Sequence, residues 1–312
     1  MSTTTTRPGS GPAAGAVFDA GERIAHGAVH LDVTDLPRAL AFWRDLLGLT
    51  VLGGGEAEGV ARLGAGGREL IVLHAGAERP PQRGHSGLYH VALHLPDARE
   101  FARVIARLAA ARYPQAPTDH IFSQATYLDD PDGIGLELTL ETPERVAEIS
   151  VSGAEFRIVD TEGRLRRPVE PLDTDAVFSH LEEGADLGLP LPAGTKVGHV
   201  HLHVGDLDAA NAFYRDQLGF TEHTVLLLGM ADLNTGGRFP HRMALNVWQG
   251  QGAPQPPAGT AGLRHFTIVA RDAAGLAAIR ARLEAVGVDL EADADTLFAR
   301  DPSGNRFQLA AA

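Results

Sequence analysis

The sequence predicts an α+β protein built from four strand–helix–three-strand modules. Three observations predict it. Residues 30–49, HLDVTDLPRALAFWRDLLGL, return as residues 201–220, HLHVGDLDAANAFYRDQLGF, with twelve of twenty positions identical at an offset of 171. A second pair runs in parallel: GLYHVALHLPDAREFARVIARLAA from Gly87 and GLRHFTIVARDAAGLAAIRARLEA from Gly262. Both of these end alike, as DDPDGIGLEL from Asp129 and RDPSGNRFQL from Arg300. Repeats at such spacing mark duplicated supersecondary units.

Each element has its own signal. Residues 27–36 alternate apolar and polar, the period of a half-buried strand. Asp35 then precedes a helical pattern in which Leu40, Phe42, Trp43, Leu46 and Leu47 share one broad face. Gly48 suits the C-cap. Short strands follow around Val51, Val60–Leu63 and Glu69–His74. The same plan restarts at Leu88, His199 and His265. Asp-Pro-Asp-Gly (130–133) and Asp-Pro-Ser-Gly (301–304) are β-turn signals before the closing strands.

The expected organisation is a flexible tail (1–22), a first domain of modules 1 and 2 (23–142), a crossover (143–196) and a second domain of modules 3 and 4 (197–312). The crossover is long for a compact unit and reads as one strand and one short helix. Residues 250–260 are a Pro/Gly-rich loop.

Composition narrows the function. The formal net charge is −13 with no Lys/Arg cluster, which argues against nucleic acid and anionic membrane surfaces. The absence of cysteine removes disulfides, thiolate nucleophiles and thiolate metal sites. The N-terminus lacks the pattern of a secretory signal, and no stretch approaches the roughly 18–20 apolar residues of a membrane span. A cytoplasmic enzyme or binding protein is expected, with a homo-oligomer open.

The motifs H-x-x-L-x-V-x-D-L with a following F-Y/W-R-D-x-L-G, the LNVW strand at 245–248 and the DPxG-x-x-x-E/Q endings resemble the vicinal oxygen chelate (glyoxalase, bleomycin-resistance and extradiol dioxygenase) superfamily. The resemblance covers nearly all of the chain after residue 25 and is strongest to two-domain catechol 2,3-dioxygenases. It implies four βαβββ modules forming two open barrels, with metal ligands on the first and last strands of paired modules.

At the first-strand positions stand Ala28, His90, His199 and His265; at the last-strand positions stand Glu137 and Gln308. Pairing modules 1 and 2 leaves the set one ligand short. Pairing modules 3 and 4 gives His199, His265 and Gln308, without a carboxylate. Pairing modules 2 and 3 gives His90, His199 and Glu137, a two-His-one-carboxylate set that suits Fe(II) with open positions, or Mn(II). By resemblance His241 is the acid or base on the strand ending module 3, and His120 and Tyr127 complete the substrate side. A one-residue strand shift would let His30 replace a ligand. His201 and His203 share a face with His199, so at most one or two of the three meet a metal. His74, His85, His94, His180 and His223 match no motif and read as surface or packing residues.

The expected activity is Fe(II)-dependent extradiol cleavage of a small aromatic diol by dioxygen, a reaction of aromatic compound catabolism. The alternatives are a glyoxalase-type metal-dependent lyase or isomerase, or a metal-free small-molecule binding or resistance protein. One carboxylate disfavours the former and 6% aromatic residues the latter.

Overall fold

All four modules form as the periodicity predicts, and an aspartate starts each of their helices. The computed structural model describes residues 16–152, 155–226, 229–293 and 296–312. Module 1 is β1 (Ile24–Val33), α1 (Leu36–Leu40) running into a π-helical turn (Ala41–Leu46), β2 (Thr50–Gly55), β3 (Val60–Ala65) and β4 (Arg68–Ala75). Module 2 is β5 (Gly87–Leu95), α2 (Ala98–Ala110), β6 (Ala116–Asp119), β7 (Ser123–Asp129) and β8 (Gly135–Glu141). The crossover holds β9 (Val146–Ser152), β10 (Glu155–Asp160), β11 (Leu165–Arg166), β12 (Glu170–Pro171) and α3 (Thr174–Phe178). Module 3 is β13 (Lys196–His203), α4 (Leu207–Ala212) with a π-helical turn (Phe213–Leu218), β14 (Thr221–Leu226), β15 (Met230–Asn234) and β16 (Met243–Asn246). Module 4 is β17 (Gly262–Ala270), α5 (Ala273–Ala285), β18 (Glu291–Asp293), β19 (Thr296–Arg300) and β20 (Arg306–Ala311).

The side chains of Asp35, Asp97, Asp206 and Asp272 accept from the backbone N–H three residues on, at 2.7–3.0 Å. Such caps contribute about 1 kcal/mol each. The repeated aromatic of the helix motif is a structural pin. Trp43 Nε1 donates to Asp130 at 3.2 Å and Tyr214 OH donates to Asp301 at 3.1 Å. Each thereby ties a helix to the Asp-Pro turn of the following module, so helices associate within each sequence half.

The sheets do the opposite. One has the order β12-β6-β7-β8-β5-β13-β16-β15-β14 and joins modules 2 and 3; the other has the order β18-β19-β20-β17-β1-β4-β3-β2 and joins modules 4 and 1. Each sheet therefore crosses the 23–142 and 197–312 division, while Trp43–Asp130 and Tyr214–Asp301 respect it. The seams are antiparallel, β5 on β13 and β1 on β17.

Two expectations need correction. The crossover carries more strand than the one expected, because Val146–Ser152 and Glu155–Asp160 alternate and pair antiparallel, with β11 on the outer edge of β10. Of the expected flexible tail (1–22), residues 1–15 lie outside the described residues. Asp19 and Glu22, however, neutralise cations of module 3: Lys196 Nζ lies 2.8 Å from Asp19, and Arg242 Nε 2.5 Å from Glu22. Glu22 is only 2% exposed. Among the described residues no helix is long and apolar enough to cross a membrane.

Candidate metal centre

The β5–β13 seam brings the predicted ligands together, and two β-bulges aim them. Ladder partners run His199↔Ala92, His201↔His90 and Leu202↔Leu88, so Tyr89 is the extra residue of one bulge and Gly198 of another. Bulges re-aim side chains beside sites. On the neighbouring strand, Glu137 is the ladder partner of Ala92 in β8. His90 Nε2, His199 Nε2 and Glu137 Oε2 converge: 3.2 Å between the imidazoles, 2.9 Å from His199 to Glu137 and 3.1 Å from His90 to Glu137. All three residues are at most 4% exposed, and no other group of three or more His, Asp or Glu among the described residues is arranged to hold a metal.

A hydrogen-bond chain sets the protonation of this cluster. The Glu141 carboxylate can only accept, so His94 Nδ1, 2.7 Å away, carries the proton. Burial keeps His94 neutral, its pKa lowered, which makes its Nε2 an acceptor. His199 Nδ1, 2.9 Å from that atom, must then be the donor. Burial likewise holds His199 well below the ordinary range, so its Nε2 is a bare lone pair. That lone pair faces a carboxylate oxygen and a second imidazole nitrogen. The His199 Nε2 lone pair and the Glu137 carboxylate oxygen, 2.9 Å apart, repel unless a cation sits between them. The donor set and tautomer therefore fit a divalent metal. Thr139 Oγ1 donates to Glu137 Oε1 at 2.8 Å and orients it.

The other predicted residues surround the triad. The His241 ring lies 4.3 Å from that of His199, edge to face. Its Nδ1 is 2.8 Å from Asp232 Oδ1, and neither atom has another hydrogen-bond partner. Burial alone would lower the His241 pKa; the Asp232 charge overcomes it and raises the pKa. On the other side, Tyr127 is the ladder partner of Glu137 and its OH is 2.8 Å from His120 Nε2. His120 Nδ1 lies 2.7 Å from the Pro168 carbonyl, which can only accept. In neutral His120 the Nε2 is therefore the acceptor, and Tyr127 O–H donates to it. Burial and Glu137 push the Tyr127 pKa well up, so the phenol keeps its proton.

The remaining histidines separate clearly. His201 Nε2 accepts from Asn246 Nδ2 at 2.8 Å, and His203 Nδ1 donates to Asn246 Oδ1 at 2.7 Å; of the three, only His199 joins the triad. His30 pairs with His265 and lies 2.9 Å from His74, far from replacing a ligand. His94, expected as a surface or packing residue, instead contacts the predicted ligand His199 directly. Gly198 permits this, since a Cβ there would fall 2.0 Å from His94 Cγ. Asp232, Glu141 and Arg242 were also missed. Arg242 Nη1 reaches Glu141 at 2.7 Å and lies next to His241 in sequence. The side chain of His223 lies outside the described residues.

Residues 23–138 match the Glyoxalase/Bleomycin resistance protein/Dioxygenase superfamily and residues 196–236 match a Bleomycin resistance protein-like N-terminal family. The chain is 31% identical over 285 residues to the "Catechol-2,3-dioxygenase" of Bacillus subtilis (strain 168), covering 90% of this chain and 95% of that protein. Its fold is similar to that of a putative dioxygenase from Bacillus subtilis subsp. subtilis str. 168, with TM-score 0.59, 14% identity, and coverage of 91% and 84% of the two chains. It is also similar to glyoxalase I from Zea mays, with TM-score 0.52, 16% identity, and coverage of 92% and 93%. With one relative this similar along nearly its whole length, and with the repeated modules in place, the chain belongs to the glyoxalase/bleomycin resistance protein/dioxygenase superfamily.

Proposed function

We propose that the protein is an extradiol dioxygenase that opens the ring of a catechol-type diol beside its two hydroxyls. The observation that carries this reading is the convergence of His90, His199 and Glu137 between two separate proton-handling pairs, His241–Asp232 and Tyr127–His120. The 31% identity to a catechol-2,3-dioxygenase supports it. Fe(II), or Mn(II) in its place, would lower the pKa of a chelated phenolic oxygen and leave adjacent positions for diol and dioxygen.

The chain's own residues then divide the work. His241 Nδ1 is turned to Asp232, which leaves Nε2 to take a proton from the diol or return it. The Asp232 charge favours the cationic form, suited to steadying developing negative charge. Tyr127 is a donor held by His120; when His120 is protonated, both its nitrogens donate and the Tyr127 O–H is released to a substrate oxygen. Tyr89, the bulge residue, stands 4.9 Å from His90 and 5.3 Å from Trp248 between ring centroids, and both aromatics are exposed. They form an aromatic rim for a flat substrate.

Glyoxalase-type chemistry is disfavoured by the single carboxylate in the triad, Asp232 being engaged by His241. Anaerobic purification with metal analysis, followed by a panel of catechols in air, tests the reading. A yellow ring-fission product that disappears in His241→Ala is the expected result. Bound metal without oxygen uptake on any diol would shift the assignment to a redox-neutral lyase.

A further inference from the structure

The second curled sheet repeats the positions of the metal centre but keeps only one of its imidazoles, His265 at the position of His90, and lacks the carboxylate. By the repeat offsets, Gln308 stands where Glu137 does, Ala28 where His199 does and Phe298 where Tyr127 does. Ladder register places Arg62 at the position of Asp232. Arg264 replaces Tyr89 and Arg306 replaces Gly135. This copy has lost the anionic ligand and gained guanidinium groups.

Two of those arginines open onto a cleft of about 350 Å³ at the seam between the sheets, which Arg83 and Arg300 also line; Asp129 is the one carboxylate in its lining. Four arginines in one cleft stand out in a chain of net charge −13. The metal triad does not line this cleft, although Leu88, Tyr89, Gly135 and His203, its neighbours along the strands, do. Arg264 and Arg306 are held from behind by Asp32 and Glu291, each at 2.9 Å. Arg306 also stacks over Phe298 at 3.8 Å, and Phe298 lies 5.0 Å from the His265 ring. Within this stack Arg306 Nε, on the arginine that lines the cleft, is buried without a hydrogen-bond partner. Buried unsatisfied polar groups cost about 1–3 kcal/mol each, and a preset guanidinium plane matches a carboxylate or phosphate.

We propose that the seam cleft is a binding site for a small oxyanion, a carboxylate or a phosphate, separate from the metal centre. The test uses the full chain stripped of metal with a chelator and titrated with inorganic phosphate or with succinate by calorimetry. Saturable binding of at least one is expected, weakening as salt rises. Tighter phosphate binding identifies a tetrahedral anion as the ligand class; tighter succinate binding identifies a carboxylate. Arg264→Gln with Arg306→Gln should weaken binding at least tenfold, the loss expected for one or more charge-assisted hydrogen bonds. Arg83→Gln, an exposed change that leaves the fold alone, should weaken it several-fold. Glu137→Gln should leave it unchanged. Failure of both anions to bind, full affinity in the Arg264→Gln/Arg306→Gln protein, or loss of binding in Glu137→Gln would each overturn the proposal.

Discussion

His94 Nε2 lies 2.9 Å from His199 Nδ1, and this contact decides which nitrogen of His199 is bare. The order Glu141–His94–His199 fixes one tautomer and turns Nε2 toward Glu137 and His90. Partners behind a ligand of this kind are worth 10–100-fold in metal affinity. His94→Leu should weaken divalent-metal binding by about that factor in chelator competition. His94→Gln, which can accept from His199 and donate to Glu141, should keep most of it. Equal losses in both variants would mean that His94 only fills space.

Gly198→Ala is expected to reproduce the His94→Leu defect without replacing any side chain of the relay. The added Cβ would collide with the His94 ring and force it away from His199. Metal affinity should fall about tenfold or more, measured by the same competition. Unchanged affinity would show that the relay tolerates displacement.

Glu141 also shapes acid stability. Burial alone would raise its pKa, but the His94 hydrogen bond and the Arg242 charge hold it well below the carboxylate range. A carboxyl whose pKa falls on folding adds stability above its unfolded value, here about 4.5, and that stability is lost as pH falls below it. The urea midpoint of Glu141→Gln should therefore lie clearly below that of the unaltered protein at pH 7, and the gap should narrow by pH 3. A gap that stays constant with pH would exclude the ionised carboxylate as its source.

Repetition made the fold and the candidate ligand set legible in the sequence. Comparison of copies isolated His90, His199 and Glu137, since only modules 2 and 3 together carry two imidazoles and a carboxylate, and β5 does pair with β13. The relay behind them was not legible. His94 and Glu141 sit four residues beyond His90 and Glu137 on their strands, but their meeting depends on the seam register and on the absent side chain of Gly198. The partner of His241 was hidden because Asp232 comes from β15, whose register against β16 no motif announces. Pro168, which sets the His120 tautomer, comes from the crossover, a segment without repeat or motif.

The triad and its degenerate copy can be told apart by metal content. Glu137→Gln removes the anionic ligand and should abolish stoichiometric metal in the purified protein. Gln308→Ala should leave it intact, since Gln308 lies in the other sheet, where its Oε1 is 3.4 Å from Thr267 Oγ1. Metal retained in the first variant and lost in the second would move the centre to the β17–β1 seam.

The two tryptophans offer a readout of substrate that does not depend on turnover. Trp43 is fully buried behind Asp130, whereas Trp248 is 48% exposed beside Tyr89. Acrylamide should quench Trp248 and spare Trp43. Under anaerobic conditions, catechol should quench the same accessible fraction, because a diol held at the triad lies against the Tyr89–Trp248 rim. Trp248→Phe should abolish the catechol-dependent change. Trp248→Ala should weaken catechol binding by about 2–10-fold, in line with 0.5–1.5 kcal/mol for one aromatic contact. A catechol response that survives in Trp248→Phe would place the ring near Trp43 and away from this rim.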